Sequence, residues 1–140
     1  MYPQEIVIPM IQELTSVGFK ELKTPQDVDV LLAQKGTTLL VINSVCGCAA
    51  RNARPAVIKA LKESKIKPNN IATAFAGVDK EAVQRAREYM LPYPPSSPSI
   101  ALFKDGKLVH MIERHHIEGR PVDMISQNLI LAFEEHCQTT

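Results

Sequence analysis

Two cysteines separated by one glycine, Cys46-Gly47-Cys48, stand between an apolar run, Leu39-Leu40-Val41-Ile42, and a stretch with helix-forming character, Ala49-Ala50-Arg51-Asn52-Ala53-Arg54. Placed there, they form a candidate pair for thiol–disulfide exchange. The thiolate is the attacking species, and unpaired backbone N–H groups in the first turn of a helix stabilise it. Cys46 is therefore expected to titrate below the ordinary thiol value of about 8.5. The spacing adds a constraint, because a disulfide needs α-carbons roughly 4.4–6.8 Å apart. Residues i and i+2 meet that limit poorly on a strand and point apart on a helix, so only a turn closes the ring. Gly47 can supply positive φ if the turn needs it, and the closed ring is expected to be strained and easily reduced.

On spacing alone, a Cys-x-Cys pair is also compatible with metal binding or with two inert thiols. One such pair suits Cu(I) better than structural zinc, which generally takes four N or S ligands. His115 or His116 could join Cys46 and Cys48 in a metal-delivery site of that kind. A redox-inert adaptor is the third reading.

The whole chain bounds these choices. Its 140 residues are 45% hydrophobic and read as one domain spanning 1–140, large enough to bury most of its apolar surface. A formal net charge of +1 with no long basic tract favours neither nucleic acid nor membrane as a partner. The opening Met1-Tyr2-Pro3-Gln4-Glu5 carries an early acid and no basic region, unlike a secretory signal. Three cysteines, an odd number, argue against a secreted disulfide framework. A cytoplasmic protein is expected.

The elements that must hold the pair follow from periodicity. Val7, Met10, Ile11 and Leu14 predict a first helix ended by Gly18, with Pro9 in its first turn or at a kink. Thr24-Pro25-Gln26-Asp27 supplies a cap, a first-turn proline and a third-position acid to a short second helix running to Gly36. Thr37 to Asn43 is an unbroken apolar run suited to a strand buried on both faces. Ala49 to Ser64 predicts a helix kinked at Pro55, and Ile71 to Ala76 a further strand. Asp79 is placed to cap a helix with Val83, Ala86 and Met90 inward and a Glu81–Arg85 pair outward. The proline-rich Leu91 to Ser99 must be a shaped loop. Asp105-Gly106 joins Ile100–Phe103 to Leu108–Ile112 as a hairpin, and Pro121 to about Cys137 closes the chain as a helix with Ile125, Leu129, Ala132 and Phe133 inward.

The resulting order, β-α-β-α-β-β-α behind an N-terminal helical extension, resembles a thioredoxin-like α/β fold with a central mixed sheet flanked by helices. A narrower resemblance lies in Asn43-Ser44-Val45-Cys46-Gly47-Cys48-Ala49-Ala50 with Ala53-Arg54-Pro55, although Ile42 stands between Val41 and Asn43. It continues through Phe75-Ala76-Gly77, Asp79-Lys80-Glu81-Ala82, Pro95-Ser96-Ser97-Pro98-Ser99, Arg114-His115 and Ile117-Glu118-Gly119. The chain thus resembles the bacilliredoxins over nearly its whole length. That resemblance implies an oxidoreductase acting on S-bacillithiolated proteins, with possible disulfide isomerase activity. Cys46 would attack the bacillithiol sulfur and Cys48 would resolve the adduct, or free bacillithiol would do so. It further implies no tightly bound cofactor, bacillithiol as thiol co-substrate, and a flavin-dependent bacillithiol disulfide reductase acting downstream.

The remaining candidates take their roles from this frame. Pro98 falls where thioredoxin-like proteins carry a cis-proline beside the thiols, so a cis Ser97-Pro98 bond is expected, with Ser97 and Ser99 offering groups to substrate. Pro55 reads as a shape device. Asn43 and Ser44 could contact thiolate or substrate, but short polar residues also commonly close strands. Arg51 and Arg54, three apart, are expected to share a face, where a guanidinium fork could hold the malate carboxylates of bacillithiol. Solvated helix surface is the plainer reading of both. His115 could protonate a leaving thiolate or merely sit in a connection. Cys137 reads as a peripheral thiol near a fraying end.

Overall fold

The computed structural model describes residues 2–137. Helix α1 (Gln4–Thr15) contains Pro9 and buries Val7 and Leu14. Strand β1 (Lys20–Glu21) follows, then α2 (Pro25–Leu32), whose capping box joins the Thr24 hydroxyl to Asp27 N–H (3.1 Å) and the Asp27 carboxylate to Thr24 N–H (3.2 Å). Strand β2 (Thr37–Asn43) is buried at every residue, as its composition requires. A π-type turn, Ala49–Ala53, leads into α3 (Arg54–Glu63). Then come β3 (Asn70–Phe75), α4 (Lys80–Tyr89), β4 (Ser99–Lys104), β5 (Lys107–Ile112), a single turn α5 (Arg114–Ile117) and α6 (Val122–His136).

The five strands lie in the order β1-β3-β2-β4-β5. β2 is central, parallel to β3 and antiparallel to β4. Its side chains alternate between two apolar clusters. Leu39 and Val41 join residues of α3 and α6 on one face, while Leu40 and Ile42 join residues of α2 and α4 on the other. The carboxyl end of this doubly covered strand is where the chain leads to Cys46. No helix among the described residues is long and apolar enough to cross a membrane.

The β4–β5 hairpin turns through Asp105 (φ 52°) and Gly106 (φ 82°), two left-handed residues that match the twist of the paired strands. Gly106 is also sterically required, since a β-carbon there would stand 2.7 Å from the Leu32 carbonyl oxygen. Two expected side-chain roles differ. The Asp79 carboxylate does not cap α4 but accepts the Phe75 N–H (3.0 Å), tying the helix start to the strand before it. Arg85 pairs with Asp29 on α2 (2.7 Å) and with Glu88 (3.1 Å) rather than Glu81. The α2–α4 contact offers a second acid and the Tyr89 hydroxyl, which donates to Asp29 (2.7 Å), so a network replaces an isolated surface pair.

β1 and α5 are the elements that periodicity misses. Two residues leave no periodic signal for β1, which exists by pairing with β3. α5 is one turn, stabilised by Glu113 and His116 exchanging contacts around its start.

Candidate active site

The chain leaves β2 at Asn43, turns through Ser44 and Val45, and becomes helical at residue 47. Cys46 occupies the helix cap. Its carbonyl accepts the N–H groups of Ala49 (3.0 Å) and Ala50 (3.3 Å), its own N–H reaches the Ser44 hydroxyl (3.3 Å), and its sulfur accepts the Cys48 N–H (3.3 Å). A helix-terminal donor aimed at the Cys46 sulfur is the arrangement that stabilises a thiolate. Cys46 and Cys48 are disulfide-bonded, with α-carbons 5.4 Å apart. A turn closes the ring, but Gly47 is not among the glycines at positive φ. A β-carbon there would meet the Arg51 guanidinium at 2.8 Å, the mobile end of an exposed side chain that could move aside.

The two sulfurs are unequal. Cys46 is partly exposed, whereas Cys48 is buried in the cluster beneath the helix. A cleft of about 380 Å³ opens over them, lined by Cys46, Gly47, Cys48, Arg51, Arg114 and Glu118 among others. Arg114 was visible in the sequence only as part of a family motif, and folding gives it a place. Its Nη1 donates to the Ser97 carbonyl (3.3 Å), its Nε to Glu118 (3.0 Å), and its backbone N–H to the Ser96 hydroxyl (3.4 Å). One guanidinium therefore joins the proline loop to the thiol cleft. The Ser97–Pro98 bond is cis, as expected, and so is Leu91–Pro92. Pairing of Ile42 with Ser99 sets Pro98 beside the end of β2 that leads to the thiols. Asn52 closes the other side, donating to the carbonyls of Ile117 and Arg120.

Arg51 and Arg54 do not share a face. Arg51 is exposed in the cleft, while Arg54 is buried with 2% of its side chain accessible. Pro55 has no N–H for the carbonyl four residues back, and the helix ahead of it widens into the π-type turn. Three residues span less of a revolution in a wider turn, so the two side chains diverge. Arg54 cannot form a carboxylate clamp with Arg51. Asn43, Ser44 and Ser99 are likewise buried: the Asn43 side-chain oxygen and the Ser44 carbonyl accept from Arg54, and the Ser44 hydroxyl accepts the Cys46 N–H, so these residues hold the loop beneath the site.

His115 is exposed, its ring 4.0 Å from that of His116 and tilted 49° to it, outside the lining of the thiol cleft. Among the described residues, one group of three His, Cys, Asp or Glu ligand atoms lies within 4.8 Å, from Glu113, His115 and His116. That group contains neither Cys46 nor Cys48, which bond each other, so the histidines offered as further ligands do not stand with the thiol pair.

Cys137 is not frayed. It is buried after α6, its N–H bonds the Phe133 carbonyl (2.8 Å), and its thiol meets Thr37 at the opposite end of β2 from the site. Burial pushes its pKa up. Stability from this group is therefore present below the ordinary thiol value and lost as pH rises above it toward the folded value. Native Cys137 should alkylate roughly 100-fold more slowly than Cys46 in the reduced protein, and equally fast in denaturant. Peptide mapping after a timed iodoacetamide pulse measures both.

Comparison with known proteins agrees with this geometry. Among solved structures, a protein with a thioredoxin fold superimposes at TM-score 0.64 with 14% identity, over 80% of this chain and 94% of that one. A mutant thioredoxin of Halobacterium salinarum gives 0.59 with 13% identity, over 86% and 92%. The fold is thus thioredoxin-like, and it carries a disulfide-bonded cysteine pair just beyond the carboxyl end of its central strand. The family model described as Disulphide isomerase matches residues 2–137. A Bacilliredoxin of Cytophaga hutchinsonii is 59% identical over 135 residues, 96% of this chain and 99% of that protein. A Bacilliredoxin of Salinibacter ruber is 54% identical, over 97% and 81%. The chain belongs to the bacilliredoxin family.

Proposed function

We propose that this oxidoreductase removes bacillithiol from S-bacillithiolated proteins, with Cys46 attacking and Cys48 resolving. The unequal exposure of the two sulfurs carries the reading. The Cys46 thiolate attacks the bacillithiol sulfur, a new S–S bond forms, and the bond to the target protein breaks. The target leaves as thiolate and takes up a proton. The buried Cys48, once deprotonated, attacks the Cys46 sulfur from beneath, expelling bacillithiol and leaving the Cys46–Cys48 disulfide. In the alternative turnover, free bacillithiol attacks the adduct, regenerates Cys46 and departs as bacillithiol disulfide, the substrate of a flavin-dependent reductase. Bacillithiol is then a co-substrate rather than a bound cofactor. Reshuffling of protein disulfides, and hence isomerase activity, uses the same attacking thiol.

Several features support the assignment of the incoming groups. Arg51 and Arg114 both face the thiol cleft and can meet the carboxylates of an anionic thiol. The Ser97 backbone, next to Pro98 and joined through its carbonyl to Arg114 of the thiol cleft, is where we place an incoming extended target segment. A cytoplasmic site of action fits a protein that repairs intracellular thiols. The test offers reduced protein two substrates, one target modified with bacillithiol and the same target modified with glutathione, and follows target thiol release. Faster release from the bacillithiol adduct by about tenfold or more, reduced by Arg51→Ala, is expected. Equal rates from both adducts would reject bacillithiol as the preferred thiol and leave a general disulfide exchanger.

A further inference from the structure

Arg54 is an unexpected residue to find beneath a redox loop. Its side chain is 2% exposed, and a buried guanidinium is costly unless its charge and donors are met. Nη1 donates to the Asn43 side-chain oxygen (2.8 Å) and to the Ser44 carbonyl (3.1 Å). Nε stands 2.7 Å from Glu13 of α1, an ion pair whose N–H is not aligned on the oxygen. Asn43 in turn accepts the Ser44 N–H (2.9 Å) and donates to the Met10 carbonyl of α1 (3.2 Å). Ser44 completes the chain by accepting the Cys46 N–H (3.3 Å).

The cation therefore sits under the two residues from which the Cys46 loop springs, and its partner acid comes from a helix outside the central sheet. We propose that Arg54 is the positioning residue of the redox loop and that Glu13 moderates how strongly Arg54 favours the Cys46 thiolate, which makes α1 a working part of the thiol centre. This inference rests on Cys46 being the attacking thiol. The other charged groups facing the site are Arg51 on the Cys46 helix and Arg114 and Glu118 in the connection after β5. None of these three is itself altered by substitution at Glu13, so a change in thiol titration reports on the Arg54–Glu13 pair.

The experiment is the pH dependence of Cys46 alkylation in the fully reduced full-length protein, resolved from Cys48 and Cys137 by peptide mapping. Glu13→Gln keeps the shape of a side chain that is 45% exposed while removing its charge, leaving Arg54 uncompensated. The Cys46 midpoint should fall by about half a unit. Arg54→Met removes the cation, and the midpoint should rise by a similar amount, with slower disulfide exchange at neutral pH. Opposite signs identify electrostatic coupling, because a merely structural role moves neither midpoint or moves both the same way. If Arg54→Met fails to fold, the Glu13→Gln sign decides, and an unmoved or raised midpoint overturns the proposal. Wild-type Cys46 titrating like an ordinary peptide thiol would instead sink the reading of Cys46 itself, and this proposal with it.

Discussion

Cys46→Ser should lose target thiol release by about 1,000-fold or more, while Cys48→Ser should retain the first attack. A serine hydroxyl is almost wholly protonated at neutral pH, and among the described residues no histidine lines the cleft to take its proton. His115 and His116 directly follow Arg114 of the cleft but do not line it. The cysteine at this position needs no base, because the Cys48 N–H and the helix terminus already favour its thiolate. Cys48 is buried, so it meets only a sulfur already carried by Cys46. Cys48→Ser should therefore accumulate the adduct and turn over only when free thiol is supplied. Stopped-flow release of a chromogenic target thiol measures both variants. A Cys46→Ser protein that still releases target, beside an inactive Cys48→Ser, would exchange the two roles.

Phe133→Ala should cost about 3–5 kcal/mol of stability. Phe133 is fully buried on α6, in the cluster that contains Ala53, Ala56, Val57 and Ala60 of the active-site helix and Leu39 and Val41 of β2. Three small alanines on the facing helix leave a volume that a large ring fills, and truncation opens a cavity that fixed backbone on both sides closes poorly. Against a total of about 5–15 kcal/mol for an ordinary domain, the loss is severe. Urea unfolding should show a lower midpoint at nearly unchanged slope. Leu131→Ala on the same helix is 56% exposed and should stay within about 0.5 kcal/mol. A cost below about 1 kcal/mol at Phe133 would mean that α6 is not the cover of the redox helix.

What sequence reading reached here follows from where information is local. β2 was legible because Leu39 to Ile42 are apolar on both faces, and the β-branched Thr37 and Thr38 before them and Asn43 after them mark its ends. The hairpin was legible because Asp105-Gly106 encodes its own turn. The cysteines declared themselves by spacing between a strand and a helix. Arg51 and Arg54 looked equivalent because helical spacing assumes one pitch, and the turn ahead of Pro55 has another. Glu13 was hidden for a different reason: its partner lies on an element 41 positions away, and no local pattern in α1 marks it. The arginine of the Arg114-His115 motif proved more informative than its histidine, since it alone reaches both the cleft and the Ser97 carbonyl. Long-range polar contacts were thus the part that needed coordinates.

The order of attack is the claim on which the mechanism stands, and the site of the first adduct tests it most directly. Reduced Cys48→Ser protein mixed with one equivalent of an S-bacillithiolated target, quenched with acid and mapped by mass spectrometry, should carry bacillithiol on Cys46, with an equal amount of free target thiol. Target protein rather than bacillithiol on Cys46, or an adduct found only on Cys137, would contradict the account.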